Sequence, residues 1–301
     1  MGHMRRFAAL WAVLLLSLTF NTVAAKAQGD AENALAATIA GIESRLGARI
    51  GVFVGDSASG WKWSHRETER FLMASTFKSL LCGAVLEQAD RGALTLIETV
   101  RVRGEEVHGH APVTKDRIGQ SMRIDDLCMA TLDLSDNGAA NLLIDRLGGP
   151  GEVTAFLRRI GDATTRLDRK EPELNTFVPG DPRDTTSPAA MAGSWKAMLL
   201  GNALSAESRA RLTGWMSHGG VTGPLIRVHA PKDWAVSDRS GGGRHHTRNI
   251  VAMITPPGHA PYFVSIYLSD TPANWRTRNE AVSQLGAAVV RVIQSRTGAP
   301  R

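Results

Sequence analysis

Strand-like segments cluster at the two ends of this chain, and that placement constrains its fold more than any other feature. Residues 49–54 (Arg-Ile-Gly-Val-Phe-Val) and 61–63 (Trp-Lys-Trp) come early, separated by the turn-rich Gly55-Asp-Ser-Ala-Ser-Gly60. Residues 234–237, 249–254 and 262–268 come late, and their short turn-rich links favour antiparallel pairing. From about residue 75 to about residue 216 the apolar period is helical instead. Phe77, Leu80, Leu81, Ala84 and Val85 share one face ahead of Gly92. Ala139, Ala140, Leu142, Leu143 and Leu147 share another, stopped by Gly148-Gly149, and Val153, Phe156, Leu157 and Ile160 a third, stopped by Gly161. Ser187-Pro188 is an N-cap followed by proline at the first helical position. Helices are also expected at about 35–46 and 279–293. A chain that starts in a sheet, leaves to build helices and returns predicts an α/β fold of the α+β kind. It is an antiparallel five-stranded sheet flanked by terminal helices, with an inserted all-α domain. The expected division assigns 28–73 and 217–301 to the sheet domain and 74–216 to the helical one, with the ligand cleft between them.

The first residues are not expected to belong to the fold. Arg5 and Arg6 precede an apolar run over residues 7–20, and Ala25-Lys-Ala27 is a small-x-small cleavage site. Residues 1–27 therefore read as a secretory signal peptide, cut near Ala27/Gln28 and too short for a confident membrane span. The exported chain is expected to be periplasmic or secreted, unattached to a membrane and monomeric. It keeps about 270 residues, enough for one large domain or two intertwined ones. Its formal charge falls from +6 to +3 once Arg5, Arg6 and Lys26 leave. Such a mild, interspersed excess gives no footprint for nucleic acid. The two cysteines, Cys82 and Cys128, can form a disulfide in an exported protein; two buried free thiols are the alternative. Neither has a ligand-spaced partner, and His108-Gly-His110 beside Glu105 and Glu106 lacks further ligands at usable spacing, so no metal and no cofactor is expected.

Four short elements carry the chemistry. Ser75 and Lys78 fall in the first turn of the 77–85 pattern, three residues apart and so on one face. A serine hydroxyl needs a base to become a nucleophile, and a lysine discharged by burial can be that base. Free N–H groups of a first turn also favour developing negative charge. Ser135-Asp136-Asn137 opens the next helix and read alone is a set of capping residues. Glu171-Pro-Glu-Leu-Asn175 lies in a polar, proline-punctuated loop, residues 162–187, read as an ordered Ω-type loop that buries Leu174, Phe177 and Val178. Asp238-Arg-Ser-Gly-Gly-Gly243 is a glycine-rich turn at a strand end.

In this order and at these separations the four elements resemble those of a class A serine β-lactamase, across essentially the whole exported length. The resemblance is full at Ser75-x-x-Lys78, Ser135-Asp-Asn137 and Glu171-x-x-x-Asn175. It departs at Arg239-Ser-Gly241, where most members begin with lysine; a similar Arg-Ser-Gly appears in carbenicillin-hydrolysing members. The resemblance implies the β-lactamase/penicillin-binding transpeptidase fold and small-molecule β-lactams as substrates. Cys82 and Cys128 stand where many members carry a disulfide.

The roles the resemblance implies are specific. Ser75 attacks the β-lactam carbonyl, and the Ser75 and Gly242 N–H groups form the oxyanion hole. Lys78, or Glu171 through a water, is the acylation base. Glu171 activates the deacylating water with Asn175. Ser135 relays a proton to the leaving nitrogen, and Asn137 meets the acylamide side chain. Arg239, Ser240, Gly241 and Arg248 serve the substrate carboxylate, and His110 sits at the cleft edge. Arg169 and Asp184 close the loop as a salt bridge, and Pro172 follows a cis peptide as it does in relatives. Penicillins, including carboxypenicillins, are the expected substrates, with resistance as the outcome. The rival reading is a penicillin-binding peptidase or acyl-trapping sensor; Glu171 and Asn175 argue against it. Gly55-Asp-Ser57 sits in a hairpin turn and is not read as a nucleophile.

Overall fold

The late strands pair because each alternates apolar side chains to two faces that both find cover. The computed structural model describes residues 3–243 and 246–298, with side chains described from Ala25 onward. The expected leader thus lies mostly outside the residues whose side chains are described. Helix α1 (His3–Leu46) leads into strand β1 (Arg49–Asp56) and β2 (Lys62–His65). The middle of the chain holds β3 (Phe71–Leu72), α2 (Phe77–Asp90), β4 (Thr99–Arg101), β5 (Ser121–Arg123), α3 (Ile124–Asp133), α4 (Asn137–Leu147) and α5 (Pro150–Arg159). It continues through β6 (Thr185–Thr186), α6 (Pro188–Leu199) and α7 (Ala206–Trp215). The chain then returns as β7 (Ala235–Gly241), β8 (His246–Thr255), β9 (Tyr262–Thr271) and α8 (Trp275–Thr297).

The five-stranded sheet is antiparallel with order β2-β1-β9-β8-β7, so the first strand is held between its hairpin partner and the last. Ile50, Val52, Val54, Ile250, Ile254, Val264 and Ile266 point to the face covered by α1 and α8. Val251, Phe263 and Tyr267 point the other way, into the core shared with the helices. Leu35, Ile39 and Ile42 of α1 pack with Val282, Leu285, Val289 and Val292 of α8. The fold class expected from the sequence is the one observed. Helix α1 runs back continuously beyond residue 35, and α8 begins at Trp275, a turn earlier than expected.

Helix α2 is central, buried from Phe77 through Glu87 on every side. That is what makes Lys78 a buried amine. Gly148 and Gly149 end α4 with φ of 105° and 115°, a left-handed exit that glycine takes without strain. The disulfide that the resemblance implied is not formed: Cys82 and Cys128 are both free thiols, buried in the helical core. The Cys82 Sγ lies 3.9 Å from the Cys128 carbonyl oxygen. Burial pushes the Cys128 thiol well above its ordinary pKa, with the neighbouring Cys82 adding to the shift.

Candidate active site

The cleft forms where the end of β7 meets the residues that lead into α2. Ser75 lies in a 3-10 turn, Ala74–Thr76, ahead of the α-helix rather than inside its first turn. Ala74 holds φ at 44°, a left-handed value that a non-glycine residue adopts at a cost of about 1–3 kcal/mol. The strain is held by neighbours. Asn249 of β8 donates to Leu72 O (2.9 Å) and Met73 O (3.0 Å), and Thr76 Oγ1 donates to Met73 O at 2.8 Å. The glycine at 241 lets β7 pass close by. A Cβ there would stand 2.7 Å from Met73 O and 3.1 Å from Ser75 N.

Lys78 is fully buried. Its ammonium donates to Ser135 O (2.8 Å), Asn137 Oδ1 (2.7 Å) and, more weakly, Ser135 Oγ (3.4 Å), rather than to Ser75. Glu171 Oε1 is 3.5 Å away. Burial lowers the Lys78 pKa to about 8; the Glu171 charge pulls it back up and the Arg239 charge pushes it further down. Of the Ser135-Asp-Asn137 trio only Asp136 caps α4, accepting from Ala139 N at 2.8 Å. It also accepts from Val113 N, Thr114 N and Thr114 Oγ1, fixing the loop that carries His110. Capping by Asp136 frees its neighbours to face the cleft. Ser135, with φ of 60°, offers its hydroxyl oxygen to both Lys78 and Arg239. A hydroxyl with both lone pairs occupied by cations aims its own proton elsewhere.

The loop glutamate is placed from two sides. Asn141, one turn after Asn137 on α4, accepts from Glu171 N and donates to Glu171 O, both at 2.9 Å. The Glu171–Pro172 peptide is cis. Glu171 is 2% exposed. Its Oε2 accepts from Asn175 Nδ2, and its Oε1 accepts no hydrogen bond. The loop closes through Asp184, whose Oδ2 accepts from Arg169 Nε at 2.6 Å and whose Oδ1 accepts from the Asp168 and Arg169 amides. Leu174 is buried as expected, but Val178 is 48% exposed. Phe177 instead stacks on His246, ring centroids 4.8 Å apart.

Together Ser75, Ser135, Asn137, Glu171, Asn175, Ser240, Gly241, Gly242, Arg248 and His110 line one cavity of about 300 Å³. Residues 33–293 match the β-lactamase enzyme family. The chain belongs to that family. A β-lactamase from Rhodobacter capsulatus is 52% identical over 261 residues, 87% of this chain and 89% of that protein. A β-lactamase structure from Xanthomonas campestris pv. campestris superposes with a TM-score of 0.85 at 42% identity, covering 87% of this chain and 98% of that one. The structure of a class A β-lactamase of the last common ancestor of Gram-negative bacteria gives 0.83 at 44% identity, covering 86% and 99%. The enzyme is a serine β-lactamase of class A type.

One expected site residue of this β-lactamase stands elsewhere than anticipated. Arg239 does not line the cleft: it is fully buried behind it, donating to Ser135 Oγ (2.6 Å) and Ser240 O (2.9 Å). Successive strand residues face opposite sides, so the cleft receives Ser240 and the core receives Arg239. Arg248 reaches the cleft wall; its Nε donates to Asn279 (2.6 Å) and one terminal nitrogen to Gly241 O (3.0 Å). Burial lowers the two guanidinium pKa values, to about 10 and about 9, and both remain charged at neutral pH. Among the described residues no carboxylate pairs with either, and none of the described His, Cys, Asp and Glu side chains gather as a metal site. Sequence reasoning missed Asn141, Val221 and Trp275. Asn141 carried a signal, a polar residue four after Asn137 on an otherwise apolar face. Trp275 fell outside the expected helix because the N-cap Asn274 was not taken as its start.

Proposed function

We propose that this enzyme hydrolyses penicillins, carboxypenicillins included, through an acyl-enzyme on Ser75, and so confers resistance on its host. The observation that carries the reading is Glu171: a buried carboxylate lining the same cavity as Ser75, one oxygen fixed by Asn175 and the other, 3.5 Å from the Lys78 ammonium, accepting no hydrogen bond. That oxygen is available to a water poised to attack an ester on Ser75. A peptidase that stays acylated has no use for such a group.

The remaining roles follow from the same contacts. Attack by Ser75 Oγ sends its proton to Lys78, or to Glu171 through a water. The oxyanion lies between the Ser75 and Gly242 amides, a reading supported by the close passage of β7 against Ser75 N. Ser135, its lone pairs engaged by Lys78 and Arg239, directs its proton to the leaving nitrogen. Asn137 gives its carbonyl to Lys78 and so turns its NH₂ to the substrate acylamide. Ser240 and Arg248 meet the carboxylate, while Arg239, in the Arg-Ser-Gly form seen in carbenicillin-hydrolysing members, acts on it from behind as fixed charge. Export by the leader delivers the monomeric enzyme to the periplasm or medium; an exported protein beginning at Gln28 is the expected product.

Incubating Glu171→Ala with benzylpenicillin tests the central claim. Mass spectrometry should find a penicilloyl group retained on Ser75, and turnover should fall by at least a thousandfold. Turnover near that of the unmutated enzyme would refute the assignment, and an unmutated enzyme that itself stayed acylated for hours would favour the peptidase reading.

A further inference from the structure

Trp275 is the largest apolar side chain on the cleft, yet it is 47% exposed. It opens α8, whose N-cap Asn274 accepts from Thr277 N at 2.9 Å and so fixes the backbone beneath the ring. The Arg248 guanidinium carbon lies 4.5 Å from the ring centroid. Asn279, one turn further on, holds Arg248 Nε. One short stretch of α8 therefore carries two of the groups that orient this arginine, the third being Gly241 O. The ring also confronts Gly242: a Cβ there would stand 2.6 Å from Trp275 Cζ3, 2.8 Å from Cη2 and 3.2 Å from Arg248 Cδ. Gly242 is not among the positive-φ glycines, so its backbone admits alanine; the obstacles are side chains, the indole nearest and Arg248 Cδ behind it. Gly241 is different, because a Cβ there meets main-chain atoms that cannot turn aside.

We propose that Trp275 is a specificity-determining residue. It closes the cationic end of the cleft with an aromatic wall that receives the apolar substituent next to the β-lactam carboxylate, and it keeps position 242 without a side chain. The proposal rests on the reading that Ser240 and Arg248 meet that carboxylate. In a cephem the ring carbon beside the carboxylate-bearing carbon carries a substituent. A carboxylate seated on Ser240 and Arg248 brings that substituent to the residues flanking them, and the apolar ones are Trp275 and Val221. An indole already stacked on a cation is a rigid surface, so a flat unsaturated substituent gains contact there at little ordering cost.

The test uses two cephems with the same acyl side chain, one bearing methyl and the other styryl at that carbon. Both are measured with the unmutated enzyme, Trp275→Ala, Trp275→Phe, Gly242→Ala and the Trp275→Ala/Gly242→Ala pair, each checked by thermal melting. Trp275→Ala should raise KM for the styryl cephem about tenfold and for the methyl cephem no more than about threefold, with kcat held; Trp275→Phe should restore most of the difference. Gly242→Ala should lower kcat/KM about tenfold alone and about twofold or less beside Trp275→Ala. Equal KM changes for the two cephems, or an equal Gly242→Ala penalty in both backgrounds, overturns the proposal. Failure of the carboxylate reading looks different: Arg248→Gln and Ser240→Ala would then leave KM unchanged for both substrates.

Discussion

Replacing Asp184 by asparagine isolates what holds the loop that carries Glu171. The side chain is fully buried, and three donors converge on it: Arg169 Nε on Oδ2, and the Asp168 and Arg169 amides on Oδ1. Asparagine keeps a carbonyl oxygen for the two amides. It then turns an NH₂ group toward the guanidinium, so one charge-assisted hydrogen bond worth about 1.5–3 kcal/mol is lost and two donors face each other. Arg169 is 17% exposed, so water relieves only part of its lost pairing. The sum is about 3 kcal/mol, at the lower end of the 3–5 kcal/mol for breaking a buried pair. The Met73 N to Asp184 O bond is untouched, so the loss falls on the loop rather than on the strand before Ser75. A 3 kcal/mol change moves the closed-to-open ratio of the loop by about 150-fold. Melting should drop by about 6–12 °C. In stopped-flow kinetics with benzylpenicillin, an initial burst equal to the enzyme concentration should precede a slower steady state, since acylation needs Ser75 and deacylation needs the loop. Melting and steady-state turnover both within error of the unmutated enzyme would refute this reasoning.

Other expectations follow from the same contacts. In Glu171→Gln the charge that raises the Lys78 pKa is gone, so single-turnover acylation by that variant should rise with pH through a midpoint below about 8; a midpoint above 8 contradicts the sign. Lys78 is depressed from 10.5 to about 8, so between those values the unfolded chain binds a proton that the folded one has released. Stability should therefore rise with pH across that window, by about 3 kcal/mol at most, and Lys78→Met should flatten the rise in a chemical-denaturation series. Asn141→Leu leaves the Glu171 N–H and C=O buried without these partners, and at about 1–3 kcal/mol each should slow deacylation tenfold or more while acylation changes less; equal effects on both steps would place Asn141 elsewhere in the reaction. Gly241→Ala should abolish activity in any background, since Met73 O and Thr76 N lie within 3 Å of the added carbon; recovery in a Trp275→Ala enzyme would show that the obstacle is a side chain after all.

What the amino-acid order determined was local or periodic. Alternating apolar residues specified the strands, the helical period specified α2, α4 and α5, and Gly148-Gly149 and Ser187-Pro188 marked where helices stop and start. The spacing of Ser75 and Lys78, the Ser135-Asp-Asn137 trio and the loop Glu171 were legible because each motif is short. Tertiary structure decided what depends on distance in space. Which residue of the trio caps the helix was settled by the three other donors that converge on Asp136, far off in sequence. Arg239 left the cleft because the register of β7 turned its neighbour Ser240 inward instead. Lys78 became a base-like amine only when its helix was buried on all sides, since desolvation belongs to the assembled core and to no stretch of chain. Trp275 reached the cleft because α8 starts beside Gly242, a meeting of residues whose separation along the chain carries no trace of their contact.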